Sequence, residues 1–451
     1  MIDVDLLGHI ENVKTHEQNR RVYGVYRVCP TPSGLGQGGN TEPKITVKRS
    51  DLPMTNYINV LTKSETQYDF TFAELFAGIG GVSFGFESVG GKCVLAAEYD
   101  PTAEGKRQFA QDAYKTLHPG TPVVGDVFKL DAADVPDHDV LSFTTPCQSF
   151  SVAGKRLGFE DTRGTLVFEA LRIANAKRPK ALFMENVKGL VNHDKGRTLD
   201  TILHAMNEIG YTVDFNVLNS KYFGVPQNRE RVFIIALRDD LIEPSEWNPE
   251  GNTMLPKAKR RLKEAGLRTF NFDWPPQNSV DCRLRDVLEA EVDSKYYLAE
   301  DKTAKLVAEL EGQRDSVTGE IRCFNPRHLG DGSQTRMQDR VYDKNGTIVT
   351  VTAGFADRLN IVDGLPIREA TTQGYAIARE PKIAEDGPQY RIRKLTPREC
   401  MRLQGFPESA TDLLYTNGFS DSRVYKFAGN AVTTTVIKAL AERLALQIKQ
   451  C

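Results

Sequence analysis

A chain of 451 residues with 40% hydrophobic and 26% charged residues has the composition of a soluble globular protein and the length for two or three domains, each with its own core. Its formal net charge of -2 excludes a globally polybasic binder, so a nucleic-acid partner would have to meet a local basic face. No run approaches the roughly 18 apolar residues of a membrane span, the start Met1-Ile2-Asp3-Val4-Asp5 is not a secretion signal, and seven scattered cysteines without a Cys-x-x-Cys pair argue against a disulfide framework or a structural zinc. A cytoplasmic location with reduced thiols is expected.

Residues 1–70 name no function: Val22 to Val28 alternates like a short strand, and Pro30 to Pro43 is a Gly/Pro-rich loop or linker. At Phe72 the texture changes. Phe72 to Phe76 reads as an apolar strand, Ala77 to Gly81 as a glycine turn and Val82 to Val89 as a helix. Cys93 to Ala97 has strand character and precedes Glu98-Tyr99-Asp100, a helical stretch follows from Thr102 to Leu117, and a short strand ends at Gly125-Asp126-Val127. Strand and helix alternating with short connections predict a Rossmann-like, doubly wound parallel α/β sheet. The glycine turn lets backbone approach a ligand at a helix N-terminus, and Glu98, about 20 residues on, stands where an acid grips ribose hydroxyls. Because Phe-x-Gly-x-Gly-Gly is not the spacing that clears room for a pyrophosphate, a phosphate-free adenosine ligand suits it better than a dinucleotide.

The apolar run Val140 to Phe143 delivers Pro146-Cys147-Gln148-Ser149-Phe150-Ser151 to the carboxyl edge of that sheet, where such sheets place ligands. Cys147 is therefore either a nucleophile or a small buried hydrophobe. Ala181 to Met184 delivers Glu185-Asn186-Val187 to the same edge, and an acid and a thiol facing one pocket favour the nucleophile. Arg229 and Arg231 alternate ahead of the apolar strand Val232 to Leu237, so they point the same way.

The motifs FAGIGG, EYD, GDV, PCQSFS, ENV, QNRERV, RKLTPRECMRLQGFP and GNAV, in that order over residues 72–238 and 390–440, resemble those of the cytosine-5 DNA methyltransferases. The resemblance implies an S-adenosylmethionine-dependent methyltransferase fold with a smaller, mostly irregular and β target-recognition domain. It makes Cys147 the nucleophile on carbon 6 of cytosine, Glu185 the acid at ring nitrogen 3, Asn186 an orienting group, and Arg229 and Arg231 the pair at the pyrimidine carbonyl and the active-site loop. For S-adenosyl-L-methionine, and its product S-adenosyl-L-homocysteine, it implies Phe76, Gly78 and Ile79 around the ligand, Glu98 at the ribose, Asp126 and Val127 at the adenine, Pro146 and Leu166 closing the pocket, Asn430 and Val432 from the returning C-terminus, and Tyr99 as a further cofactor-binding residue. No metal is expected, since methyl transfer from a sulfonium needs no Lewis acid.

The target cytosine must be flipped out of duplex DNA. The glycine-bearing segment Ser149 to Arg163 suits a lid over it, with Ser149, Ser151, Lys155, Arg156 and Arg163 as DNA-binding candidates. From about Pro244 the α/β rhythm is lost. The basic run Lys257 to Lys263 suits a phosphate contact or a solvated helix face equally. Arg336, Arg340 and Thr352 lie among loops suited to reading base edges. Leu395-Thr396-Pro397-Arg398-Glu399 carries the cap, proline and acidic first turn of a helix start.

The resulting expectation is an extension over 1–70, a catalytic domain over 71–240, a target-recognition domain over 241–390, and a segment 391–451 that returns to complete the catalytic domain. The expected enzyme is a monomeric DNA (cytosine-5-)-methyltransferase from a restriction-modification or host-defence setting, acting on double-stranded DNA, with a cognate restriction endonuclease as candidate partner. A tRNA cytosine-5 methyltransferase and a catalytically inactive DNA-binding module are the alternatives.

Overall fold

The computed structural model describes residues 68–145, 166–303, 316–318, 321–324, 341–342, 344–354, 356–364, 368–371, 374–377 and 390–449, together with three short strands near the N-terminus. The chain divides into two compact units, Met1–Thr66 and Gln67–Cys451. In the first, β1 (Leu6–His9), β2 (Arg21–Gly24) and β3 (Lys44–Thr46) form a small sheet in that order.

The second unit is built on seven strands: β4 (Phe70–Leu75), β5 (Gly91–Ala97), β6 (Val123–Val124), β7 (Val140–Phe143), β8 (Ala181–Val187), β9 (Tyr211–Asn219) and, after the two-residue β10 (Gln227–Asn228), β11 (Glu230–Arg238). Their spatial order is β6-β5-β4-β7-β8-β11-β9. Strands β4 to β8 run parallel and are covered on both faces, which is why Val140-Leu141-Ser142-Phe143 and Ala181-Leu182-Phe183-Met184 are continuous buried runs and not alternating ones. One strand departs from the parallel expectation. Only ten residues, 220–229, join β9 to β11, too few for a crossover helix, so β11 returns antiparallel to β9 and inserts between it and β8.

The helices on this sheet are α1 (Gly81–Glu87), α2 (Phe109–Leu117), α3 (Leu166–Lys177), α4 (Arg197–Glu208) and α5 (Met254–Glu264). The helix expected from Thr102 is shorter than its sequence suggests. Pro101–Ala103 makes a single 3₁₀ turn capped by Asp100, and Gly105 then takes a left-handed conformation (φ 70°) before α2 begins at Phe109. The basic run on α5 is partly spent on carboxylates: Lys259 reaches buried Asp214 (2.7 Å), while Arg261 with Asp200 (2.8 Å) and Lys263 with Glu246 (2.8 Å) form partly solvent-exposed pairs.

Beyond it, β12 (Ser316–Thr318), β13 (Ile321–Phe324), β14 (Val341–Tyr342), β16 (Asn360–Gly364) and β19 (Tyr390–Lys394) form a five-stranded sheet, β17 (Arg368–Thr371) pairs with β18 (Gly374–Ile377), and β15 (Ile348–Val349) pairs in parallel with β10. Helix α6 (Pro397–Leu403) starts in a capping box between Thr396 and Glu399 with Pro397 in its first turn. Helices α7 (Glu408–Thr416), α8 (Asp421–Asn430) and α9 (Thr434–Lys449) follow. Helices α8 and α9 are separated by a break that begins at Ala431. Buried Val436, Ile437, Leu440 and Leu444 of α9 share one core with Val82 and Phe86 of α1, bringing the end of the chain beside the glycine turn. Burying each such side chain contributes about 1.5–3 kcal/mol.

Candidate active site

The carboxyl ends of β4, β5, β7 and β8 open onto a cavity of about 690 Å³, lined among others by Phe76, Gly78, Glu98, Asp126, Glu185, Arg229, Arg231, Thr352 and Asn430. At one end the chain after β4 bends sharply. Phe76 itself is left-handed (φ 59°), a strained state for an aromatic residue of the kind found at ligand sites. Gly78 follows at φ 57°, and a side chain placed there would project into open space. The backbone N–H of Gly78 donates to the Glu98 carboxylate (2.7 Å), fixing that acid at the end of β5; burial raises its pKa and the Gly78 hydrogen bond opposes the rise. Asp126 caps the 3₁₀ turn Val127–Lys129 by accepting from Phe128 N–H (3.0 Å). Tyr99, Val127, Ile79, Leu166 and Val432 also line the cavity.

These groups fit an adenosine-type cofactor. The turn leaves room for a ligand against backbone, acids stand at the ends of β5 and β6, and among the described lining residues the only cations are Arg229 and Arg231, on another strand. Among the described residues at this end a pyrophosphate would meet acids and no cation, whereas a neutral or cationic ligand would not be repelled.

At the other end, Glu185 and Asn186 leave the end of β8 and are 7% and 2% exposed. Arg231 Nε lies 3.1 Å from Glu185 Oε1. Burial raises the Glu185 pKa above the usual carboxylate range, while Arg231 and then Arg229 oppose the rise. Asn186 donates through Nδ2 to Thr145 O (2.8 Å) and to Thr145 Oγ1 (3.3 Å), while its own Oδ1 accepts from Val187 N–H (2.9 Å). It therefore clamps the end of β7 just ahead of Pro146-Cys147. Arg229 is 3% exposed and spends both terminal nitrogens on backbone, donating Nη1 to Val351 O (2.9 Å) and Nη2 to Ala431 O (2.8 Å). Burial, reinforced by Arg231, pushes its pKa down to about 9, with Glu185 opposing.

Cys147 and Pro146, and Ser149, Ser151, Lys155, Arg156, Arg163, Arg336 and Arg340 of the DNA-binding candidates, lie outside the described residues. Thr352 lines the cavity. Sequence reasoning missed Glu74, a buried acid in the middle of apolar β4 that accepts from Ser83 N–H (3.2 Å) and from the Ser83 hydroxyl, with Tyr114 Oη 2.7 Å from the same hydroxyl. An acid inside a run such as Phe-Thr-Phe-Ala-Glu-Leu was the available signal. It also missed Ala353 and Gly429, which carry no chemistry of their own and enter the cavity wall by long-range packing.

Comparison with known proteins agrees with this geometry. The model of the C-5 cytosine-specific DNA methylase family matches residues 70–446. Orphan methyltransferase M.SPRI of Bacillus phage SPR is 36% identical over 434 residues, covering 82% of this chain and 96% of that protein. Type II methyltransferase M.HhaI of Haemophilus parahaemolyticus is 31% identical over 372 residues, covering 82% and 92%. A solved structure of a mutant of Spodoptera frugiperda DNMT2, 19% identical, superposes with a TM-score of 0.54 over 83% of this chain and 99% of that one, and shows the shared fold. The chain belongs to the C-5 cytosine-specific DNA methylase family and is a DNA (cytosine-5-)-methyltransferase.

Proposed function

We propose that this protein methylates carbon 5 of a cytosine flipped out of a specific duplex DNA sequence, through a transient bond between Cys147 and carbon 6. The supporting observation is that Glu185 with Arg231, and Asn186 clamped to Thr145, share one cavity with the Gly78–Glu98 turn.

Carbon 5 of cytosine is a weak nucleophile because the ring is electron-poor. Addition of the Cys147 thiolate to carbon 6 places charge on the ring, and a proton or hydrogen bond from Glu185 at ring nitrogen 3 stabilises it. The raised pKa of Glu185 makes the proton available, and Arg231 keeps the carboxyl oriented and takes up the charge when the proton leaves. Asn186, by holding Thr145, fixes the stem from which Cys147 is presented. Bound S-adenosyl-L-methionine supplies an electrophilic methyl group; Phe76, Gly78, Ile79, Glu98, Tyr99, Asp126, Val127, Leu166, Asn430 and Val432 are the described residues that would hold it. Loss of the carbon-5 proton and expulsion of the thiolate then restore the aromatic ring.

Flipping costs a few kcal/mol, offset by contacts to the extruded base. The names of the relatives, an orphan phage methyltransferase and a type II methyltransferase, support a role in modifying DNA within or alongside a restriction system. Tritiated methyl transfer to duplex DNA against tRNA tests the reading, with label in duplex DNA expected; label in tRNA alone, or in neither, overturns it. Bisulfite sequencing of an expressing host gives the methylated site.

A further inference from the structure

Three chain segments distant in sequence meet behind the cavity. The first is β10 with the residue on either side, 226–229; the second is the loop after β15, residues 350–353; the third is the end of α8 and the start of the break before α9, residues 429–432. The first two are joined over their whole length. Ile348 N–H donates to Pro226 O (2.8 Å), the Thr350 hydroxyl to Asn228 O (2.9 Å), Val351 N–H to the Gln227 side-chain oxygen (2.8 Å) and Arg229 to Val351 O (2.9 Å). The second and third touch directly: a Cβ on Gly429 would stand 2.1 Å from the backbone nitrogen of Ala353, so only glycine lets α8 come this close. Arg229 closes the triangle by donating to Ala431 O (2.8 Å), and its Nε, fully buried, has no hydrogen-bond partner among the described residues.

Thr352, at the tip of the second segment, and Asn430 and Val432, on the third, face the same cavity. Resting on the reading above, in which Thr352 meets DNA and Asn430 with Val432 meet the cofactor, we propose that Arg229 is a positioning residue. It ties the DNA-facing loop to the cofactor-facing segment, so that DNA engagement at Thr352 sets the placement of Asn430 and Val432 and tightens cofactor binding. The side chain is suited to this. A guanidinium reaches two carbonyls on different segments at fixed angles, whereas a lysine ammonium on a flexible stem does not hold two acceptors in one plane. The contact between Ala353 and Gly429 is backbone against backbone, so a shift of the loop has no soft side chain to absorb it. Two sites that bias one junction are coupled reciprocally.

The experiment is calorimetric titration of the full-length protein with S-adenosyl-L-homocysteine, alone and with saturating duplex carrying the methylated site. Wild type is expected to bind about tenfold tighter with the duplex present, within the usual range of such couplings. Arg229→Lys and Gly429→Ala are expected to bring the ratio of the two dissociation constants close to one, and Thr350→Val, which removes a single hydroxyl at constant volume, to lower it partway. A merely structural lesion weakens both affinities together and leaves the ratio intact. An unchanged ratio in variants that bind both ligands, or no DNA effect in wild type, overturns the proposal. If Arg229→Lys and Gly429→Ala fail to fold, Thr350→Val decides, and a ratio equal to wild type there refutes it. Failure of wild type to bind S-adenosyl-L-homocysteine at all refutes the proposed function instead, so the two outcomes are distinct.

Discussion

Among the described residues, two buried arginine–glutamate pairs differ in how fully the carboxylate is used. Arg393 and Glu399 are sealed, with side-chain exposures of 1% and 0%, and Glu399 is saturated: it accepts from Arg393 Nη1 (2.8 Å) and Nη2 (2.7 Å), Thr396 N–H (2.8 Å) and Glu289 N–H (2.9 Å). Glu185 also meets an arginine, but through one Nε contact at 3.1 Å, and both side chains face the cavity at 17% and 10% exposure. The sealed pair locks strand β19 to the start of helix α6. Among the described residues the open pair leaves carboxyl capacity unspent, and burial has already weakened its hold on the charged form. The residue types are the same; the number of satisfied hydrogen bonds separates scaffold from chemistry.

Glu185→Gln should break the open pair with the largest functional effect. Methyl transfer is expected to fall by about 10²–10⁴-fold, the usual worth of a positioned acid, with the melting temperature little changed. Wild-type activity should also decline as pH rises through the raised Glu185 pKa, because the acid form is consumed; single-turnover rates against pH check both statements. Glu399→Gln should do the reverse. Removing the Glu399 charge takes the carboxylate away from the buried Arg393 guanidinium, at a cost of about 3–5 kcal/mol in denaturant unfolding, while activity per folded molecule is retained.

Glu74 extends the comparison to a buried acid whose neighbours are hydroxyls, not a guanidinium. Burial raises its pKa to about 7, the Ser83 hydrogen bond opposing. A carboxyl whose folded pKa exceeds its unfolded value stabilises the fold at pH below the unfolded value, and this stabilisation is lost as pH rises through the folded one. Between pH 4.5 and about 7 the contribution should therefore fall by roughly 3 kcal/mol, and Glu74→Gln should flatten that slope in urea melts measured across the range. The smallest effect belongs to Thr396→Ala, which removes one half of the capping box beside the sealed pair; a loss of about 1 kcal/mol without change in methyl transfer is expected.

Much of the site was legible because an α/β sheet places chemistry at the ends of its strands. Glu98 after β5 and Glu185-Asn186 at the end of β8 could be read from apolar runs that stop at polar residues, and the α6 start from its cap, proline and acid. The antiparallel β11 was not legible, because the apolar pattern of a doubly covered strand carries no direction. Alternation along an extended chain gave Arg229 and Arg231 a common side, yet could not say that Arg229 would commit itself to carbonyls 122 and 202 positions away. Pairings of that range follow from how whole segments pack, and local periodicity holds no trace of them. The same holds for the junction at Gly429, where the requirement for glycine is set by a loop more than 70 residues upstream.

Catalysis through Cys147 requires a covalent bond between its sulfur and the pyrimidine, and a duplex with 5-fluorocytosine at the methylated position should trap that bond, because fluorine cannot leave carbon 5 as a proton and the adduct should persist. With S-adenosyl-L-methionine present, proteolysis and mass spectrometry are predicted to find the nucleotide on the peptide bearing Cys147, and none after Cys147→Ala. An adduct on Cys93, Cys282 or Cys400, or methyl transfer by Cys147→Ala at the wild-type rate, would contradict the account.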